Sequence, residues 1–176
     1  MSAKSSRALT RRSAAKPAKR PARALLTDVR EMILEARVAV ARAANSGMTL
    51  LYWQIGDRIR RAVLREKRGE YGKQIVVSLA RQLEREYGRG YAEKNLRRMV
   101  QFAEVFPDRE IVVSLIRQLT WTHFIALIPL IKPLQREFYA EMCRVERWSV
   151  STLRKKIGGM LYERTALSRN LGTTHQ

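Results

Sequence analysis

A chain of 176 residues and 20.4 kDa holds one compact domain with a tail, or at most two small domains. It carries 35 Lys and Arg against 16 Asp and Glu, for a formal charge of +19 and a pI near 11.1, and its 45% hydrophobic content excludes a wholly disordered chain. One cysteine, Cys143, excludes an internal disulfide and a cysteine-based zinc site; two histidines, His123 and His175, leave little for a metal cluster; and the longest apolar run, residues 124–131, falls far short of the roughly 20 residues that cross a bilayer. The expectation is a soluble, cytoplasmic, strongly basic protein with no metal, no cofactor and no membrane partner.

Residues 1–24 contain Lys4, Arg7, Arg11, Arg12, Lys16, Lys19, Arg20 and Arg23, no acid, and almost nothing apolar to bury. That composition reads as a disordered basic arm. It also suits a solubilising tail, and an Arg- and Ser-rich, acid-free start matches an organellar transit peptide. The remainder stays basic without the arm, which points to a polyanion partner, because each neutralised phosphate releases condensed counterions.

From Leu25 onward the apolar spacing is helical and the fold class is all-α. A first helix is predicted over about 28–44, with Thr27 as N-cap and an apolar stripe of Val29, Met32, Ile33, Ala36, Val40 and Ala43. Asn45, Ser46 and Gly47 either break it or lie inside a longer helix. A second helix over about 49–66 buries Leu51, Ile55, Ile59, Ala62 and Val63. A third, over about 73–87, carries Ile75, Leu79, Leu83 and Tyr87, and Gly88 stands where a left-handed cap is wanted.

A short link, residues 88–91, leads to a fourth helix over about 92–106, stopped by Pro107. Its buried stripe is Leu96, Met99, Val100, Ala103 and Phe106, and its opposite face is Lys94, Arg97, Arg98 and Gln101. Residues 110–119 read as a short helix or a strand. Thr120 caps a helix through Trp121, Phe124, Leu127 and Ile128. Pro133 opens the next, with Leu134, Phe138, Met142 and Val145 as its core face. Ser149 caps a last helix that buries Val150, Leu153, Ile157 and Leu161 and groups Arg154, Lys155 and Lys156; Gly158 and Gly159 within it suggest a close helix contact. The domain proper is expected over 25–167, with a frayed tail over 168–176.

Catalytic signatures are missing. No Lys has an acid two residues before it, Asp28, Asp57 and Asp108 are the three aspartates, and no phosphate-binding loop, G-x-S-x-G or H-E-x-x-H occurs. His123 follows Trp121 on an apolar helix and reads as a satisfied, partly buried histidine. Cys143 reads as a small buried hydrophobe. Trp53, Trp121 and Trp148 could stack on single-stranded bases, but their apolar neighbours favour packing roles.

Two helices joined by a four-residue, two-glycine link fit a helix-turn-helix-like pair, whose second helix places its N-terminal residues against base edges. Lys94, Asn95, Arg97, Arg98 and Gln101 occupy that helix: Asn pairs with adenine and Arg with guanine. Arg89 in the turn suits a phosphate. Arg154, Lys155 and Lys156 form a second cationic group, and Arg11, Arg12, Lys19 and Arg20 of the arm supply nonspecific affinity.

Several strings occur in an order that resembles the N-terminal domain of the YhcG family: residues 51–56 (LYWQIG), Tyr71-Gly72, residues 88–91 (GRGY) with Asn95-Leu96, Phe106-Pro107, residues 119–123 (LTWTH), residues 136–139 (REFY), Trp148-Ser149-Val150 and residues 161–164 (LYER). The resemblance covers about residues 28–167. It implies a bacterial protein whose helical N-terminal domain binds DNA or a partner and usually precedes a PD-(D/E)-x-K nuclease domain, whose motif has no matching positions here. Ala92 departs from the Ser-like N-cap of the family.

The reading is a non-catalytic nucleic-acid-binding module, preferring DNA to RNA, nucleoid-associated or free in the cytoplasm. The alternatives are an adaptor that docks a separately encoded nuclease or other protein, and a truncated remnant of a longer nuclease. The oligomeric state is not legible.

Overall fold

The structure is a computed structural model, and it describes residues 20–65 and 69–172. These form eight α-helices, α1 (Arg20–Arg65), α2 (Gly69–Tyr87), α3 (Glu93–Val105), α4 (Arg109–Leu115), α5 (Trp121–Leu127), α6 (Pro133–Glu146), α7 (Val150–Gly158) and α8 (Leu161–Gly172), with a 3-10 turn over Arg89–Tyr91 and no strand among the described residues. The all-α expectation holds, and residues 110–119 resolve to helix and turn.

The chain divides into two units, residues 1–39 and 40–176. The described part of the first is α1 from Arg20, so residues 20–24, expected to belong to the arm, are helical, while residues 1–19 lie outside the described residues. Thr27 is not an N-cap: its Oγ1 donates to the Arg23 carbonyl one turn back, at 3.1 Å. Val29, Met32 and Ile33, expected on an inward stripe, are exposed together with Leu25 and Leu26. In the second unit Val40 and Leu51 are exposed as well, against expectation.

Asn45, Ser46 and Gly47 do not interrupt α1, and the Ser46 and Thr49 hydroxyls are engaged elsewhere than in a cap. Thr49 is fully buried and donates to the Asn45 carbonyl at 2.8 Å, while Ser46 donates to the Ile116 carbonyl at 2.8 Å.

The core of the second unit is two clusters. The larger gathers Trp53, Phe102, Phe106, Phe124, Tyr139 and Leu153 with smaller residues from α3 to α7; the smaller holds Ile59, Val76, Ala80, Leu96 and Met99 from α1, α2 and α3. Phe102, absent from the expected stripe of α3, is completely buried, and its ring stacks 4.5 Å from that of Phe124. Val100 is only half-buried. The indole of Trp53 donates to the Phe106 carbonyl at 2.8 Å, satisfying a buried acceptor just past the end of α3. Gly56 lets α1 lie against α3: a Cβ there would run into the Met99 carbonyl oxygen.

The expected face of α6 is one position out of register. Leu134 and Val145 are exposed, and the buried face is Arg136, Tyr139, Ala140 and Cys143. An arginine occupies a core position because its guanidinium has backbone acceptors there: Nη1 donates to Val105 O at 3.2 Å and Nη2 to Leu130 O at 2.7 Å. Burial pulls its pKa below the ordinary arginine value, with Glu137 opposing.

The last expected helix is two. α7 ends at Gly158, and Met160 takes a left-handed φ of 52° before α8 turns back. A Cβ on Gly158 would meet open space, whereas one on Gly159 would meet the Lys155 carbonyl oxygen at 3.2 Å and Arg164 of α8 at 3.7 Å, so the expected close contact is found at Gly159 alone. The Tyr139 hydroxyl ties the corner, donating to Lys156 O and accepting from Tyr162 N, both at 3.2 Å. Ser149 caps α7 as expected, its Oγ accepting from Thr152 N at 3.1 Å.

Candidate nucleic-acid interface

The link between α2 and α3 is built on Gly88. Its φ of 89° and ψ of −177° belong to a region that side-chain-bearing residues avoid, and its N–H still donates to Glu84 O at 2.9 Å. The chain then makes one 3-10 turn, Tyr91 N donating to Gly88 O at 3.1 Å, and enters α3 through Ala92, which offers no side-chain cap. Tyr91 anchors the turn, its ring 5.9 Å from Tyr87 and 6.4 Å from Tyr52. Burial, helped by Tyr91, raises the Tyr52 phenol above its usual pKa.

Arg89, Lys94, Arg97 and Gln101 are exposed, and Asn95 and Arg98 are half-buried. The turn brings Arg89, Asn95 and Arg98 together: the Asn95 amide donates to the Arg89 carbonyl and accepts from Arg98 Nη1, each at a long 3.4 Å. Arg97 is held by Glu93, Nε to Oε1 at 2.8 Å. A base or phosphate reaching Asn95 or Arg97 must exchange these bonds, whereas Lys94 makes no ion pair among the described residues. The cationic face is confined to the first half of the helix, since Glu104 continues it with an acid.

Arg154, Lys155 and Lys156 are exposed on α7, which packs on α5, α6 and α8, whereas α3 packs on α2 and the turn. Lys156 stands over the Trp148 ring at 5.5 Å from its centroid. Arg11, Arg12 and Lys19 lie outside the described residues, and Arg20 is the first residue of α1.

Three further groups beside the turn escaped the sequence reading. Tyr87, expected in the core, is 67% exposed, and Arg81 and Arg85 are exposed on the last turns of α2. Their spacing of four, continued by Arg89, was the available signal.

The two groups with reactive potential are committed to structure. The backbone N–H of Thr120 donates to His123 Nδ1 at 3.1 Å, which leaves Nε2 as the donor to the Trp148 carbonyl at 2.9 Å. Cys143 is buried, and burial pushes its thiol up to about 11, away from the reactive thiolate. Among the described residues no group of three or more His, Cys, Asp and Glu could hold a metal ion, and no helix is long and apolar enough to cross a membrane.

Helical order, a glycine-built turn and a cationic half-helix define a basic all-α domain with an exposed turn-and-helix edge. The chain belongs to the DUF1016 N-terminal domain family, whose profile matches residues 28–164. It is similar to the Escherichia coli (strain K12) protein named "Putative nuclease YhcG", with 29% identity over 172 residues covering 79% of this chain and 45% of that protein. The chain therefore spans less than half the length of this relative. No solved structure matches.

Proposed function

We propose that this chain is a non-catalytic nucleic-acid-binding module, with DNA as the preferred ligand, working in the bacterial cytoplasm in association with nuclease chemistry. The observation that carries the reading is the Gly88 turn with Arg89, Lys94 and Arg98 at the exposed start of α3, on a chain of charge +19. Turn and helix act as a helix-turn-helix-like pair: Arg89 and Lys94 contact phosphates, and Arg98 is freed from Asn95 as α3 meets the groove. The basic segment 1–19 adds sequence-independent affinity. The nuclease in the relative's name supports the setting.

The test is fluorescence anisotropy of a labelled duplex titrated with the full chain and with a Lys94→Ala, Arg98→Ala double variant. The expected outcome is about tenfold weaker binding and a salt slope shallower by about 1, for the phosphate that Lys94 no longer neutralises. Unchanged affinity and slope, with the fold intact by circular dichroism, would refute the reading.

A further inference from the structure

At the far end of α3 the surface changes character. A cleft of about 640 Å³ opens between the end of α3, the start of α4 and the outer side of α6. Its walls are apolar, with Phe106, Pro107, Ile111, Leu115 and Pro133 lining it, and Ile111 is 52% exposed though it caps no core. Four carboxylates surround it: Glu104, Asp108, Glu137 and Glu141.

Two of these four have structural duties. Asp108 caps α4, accepting from Glu110 N at 2.8 Å, and Glu141 is paired with Arg144. Glu104 and Glu137 are exposed and make no ion pair among the described residues. Beneath them lies Arg136, only 8% exposed, whose Nε hydrogen has no acceptor although both its terminal nitrogens are bonded to backbone carbonyls. The cleft thus combines an apolar trough with exposed negative charge, on a protein whose charge is otherwise heavily positive.

We propose that this cleft docks a cationic peptide segment of a partner protein, an apolar side chain flanked by Lys or Arg. The apolar residue fills the trough beside Ile111 and Phe106, and the rest of the cleft has room for its neighbours in the peptide. The flanking cations lie against the exposed carboxylates of Glu104 and Glu137. Charge complementarity selects this occupant. Nucleic acid is repelled by the same carboxylates, and an acidic peptide gains nothing here that it would not gain better elsewhere on the surface. The inference stands apart from the nucleic-acid reading, since it uses the opposite end of α3 and ligands of opposite charge.

The probe is a short fluorescein-labelled peptide of alternating Arg and Leu, titrated with the full chain, beside one control with Glu for every Arg and another with Gly for every Leu. The Arg-Leu peptide should bind despite the repulsive net charge, and each control at least about tenfold more weakly. A Glu104→Lys, Glu137→Lys double variant should lose at least about tenfold in affinity for the Arg-Leu peptide. Glu137→Lys also sets a cation near the buried Arg136 guanidinium, so the thermal midpoint of the variant should fall while circular dichroism keeps its helical signal. An Ile111→Ser variant, which leaves every charge in place, should weaken binding severalfold and so report the trough rather than the rim. Failure of the Arg-Leu peptide to bind, equal binding of the Glu control, or affinity unmoved by both the charge-reversal and the Ile111→Ser variants would each overturn the proposal.

Discussion

The two ends of α3 share one helix but rest on different cores and face solvent with opposite charge. The N-terminal half stands on the smaller cluster, where Leu96 and Met99 meet Ile59, Val76 and Ala80, and it carries Lys94, Arg97 and Arg98 beside a turn made by one glycine. The C-terminal end stands on the aromatic cluster through Phe102 and Phe106, is tied down by Trp53 and Arg136, and carries Glu104 above an apolar cleft. One end is a lightly supported cationic edge, and the other a heavily supported acidic trough. Local stability follows the burial beneath each element, so the turn end is the one free to adjust to a ligand and the cleft end the one pre-formed for it.

The largest effect is expected where the comparison breaks altogether. Gly56→Ala places a Cβ against the Met99 carbonyl, forces α1 away from α3 and loosens the helix that both ends share. Denaturant unfolding should show a loss of about 3 kcal/mol, and the variant should bind duplex and cationic peptide less well. Preserved stability would mean that α1 and α3 are not closely packed.

A smaller change separates the ends. Gly88→Ala forces a side chain into a backbone region reserved for glycine and should cost about 2 kcal/mol. The damage is confined to the turn: duplex binding should fall, while the Arg-Leu peptide titrates as before. Equal losses at both ends would show that the turn and the cleft are one cooperative unit.

The smallest change strengthens the weaker end. Ala92 starts α3 without a side-chain cap, and Ala92→Ser supplies one, for a gain of about 1 kcal/mol, or a few degrees in thermal midpoint. A calorimetric scan with no upward shift would place the limit on the turn end elsewhere than at its cap.

How much of this was legible in the sequence depended on whether a residue's neighbours were local. The turn, its glycine and the cationic half of α3 follow from spacing within a dozen residues, and all appeared where expected. The core face of α6 did not, because the pattern was sought among hydrophobic residues and Arg136 occupies a core position by virtue of carbonyls 6 and 31 residues away. Asn45, Ser46 and Gly47 fit either a break or a longer helix, and only the Ile116 carbonyl, 70 residues distant, shows where the Ser46 hydroxyl goes. Tyr87 falls on the expected stripe of α2, but it is the last residue of the helix, and its ring meets Tyr91 and stays mostly in solvent. The cleft was invisible for the same reason: its four carboxylates come from α3, the α3–α4 link and α6, and meet only in the folded chain.

The central claim, that the folded chain holds nucleic acid through the turn end of α3, is tested most directly by duplex affinity against salt for the full chain and for a chain lacking residues 1–19. Those residues contribute six of the basic side chains, so their removal should flatten the slope by at most about 5. The account predicts that measurable binding persists near 0.15 M salt, a condition at which surface charge is screened beyond about 8 Å, and that it then falls about tenfold with Lys94→Ala and Arg98→Ala. Complete loss of binding on removing residues 1–19 alone would contradict it.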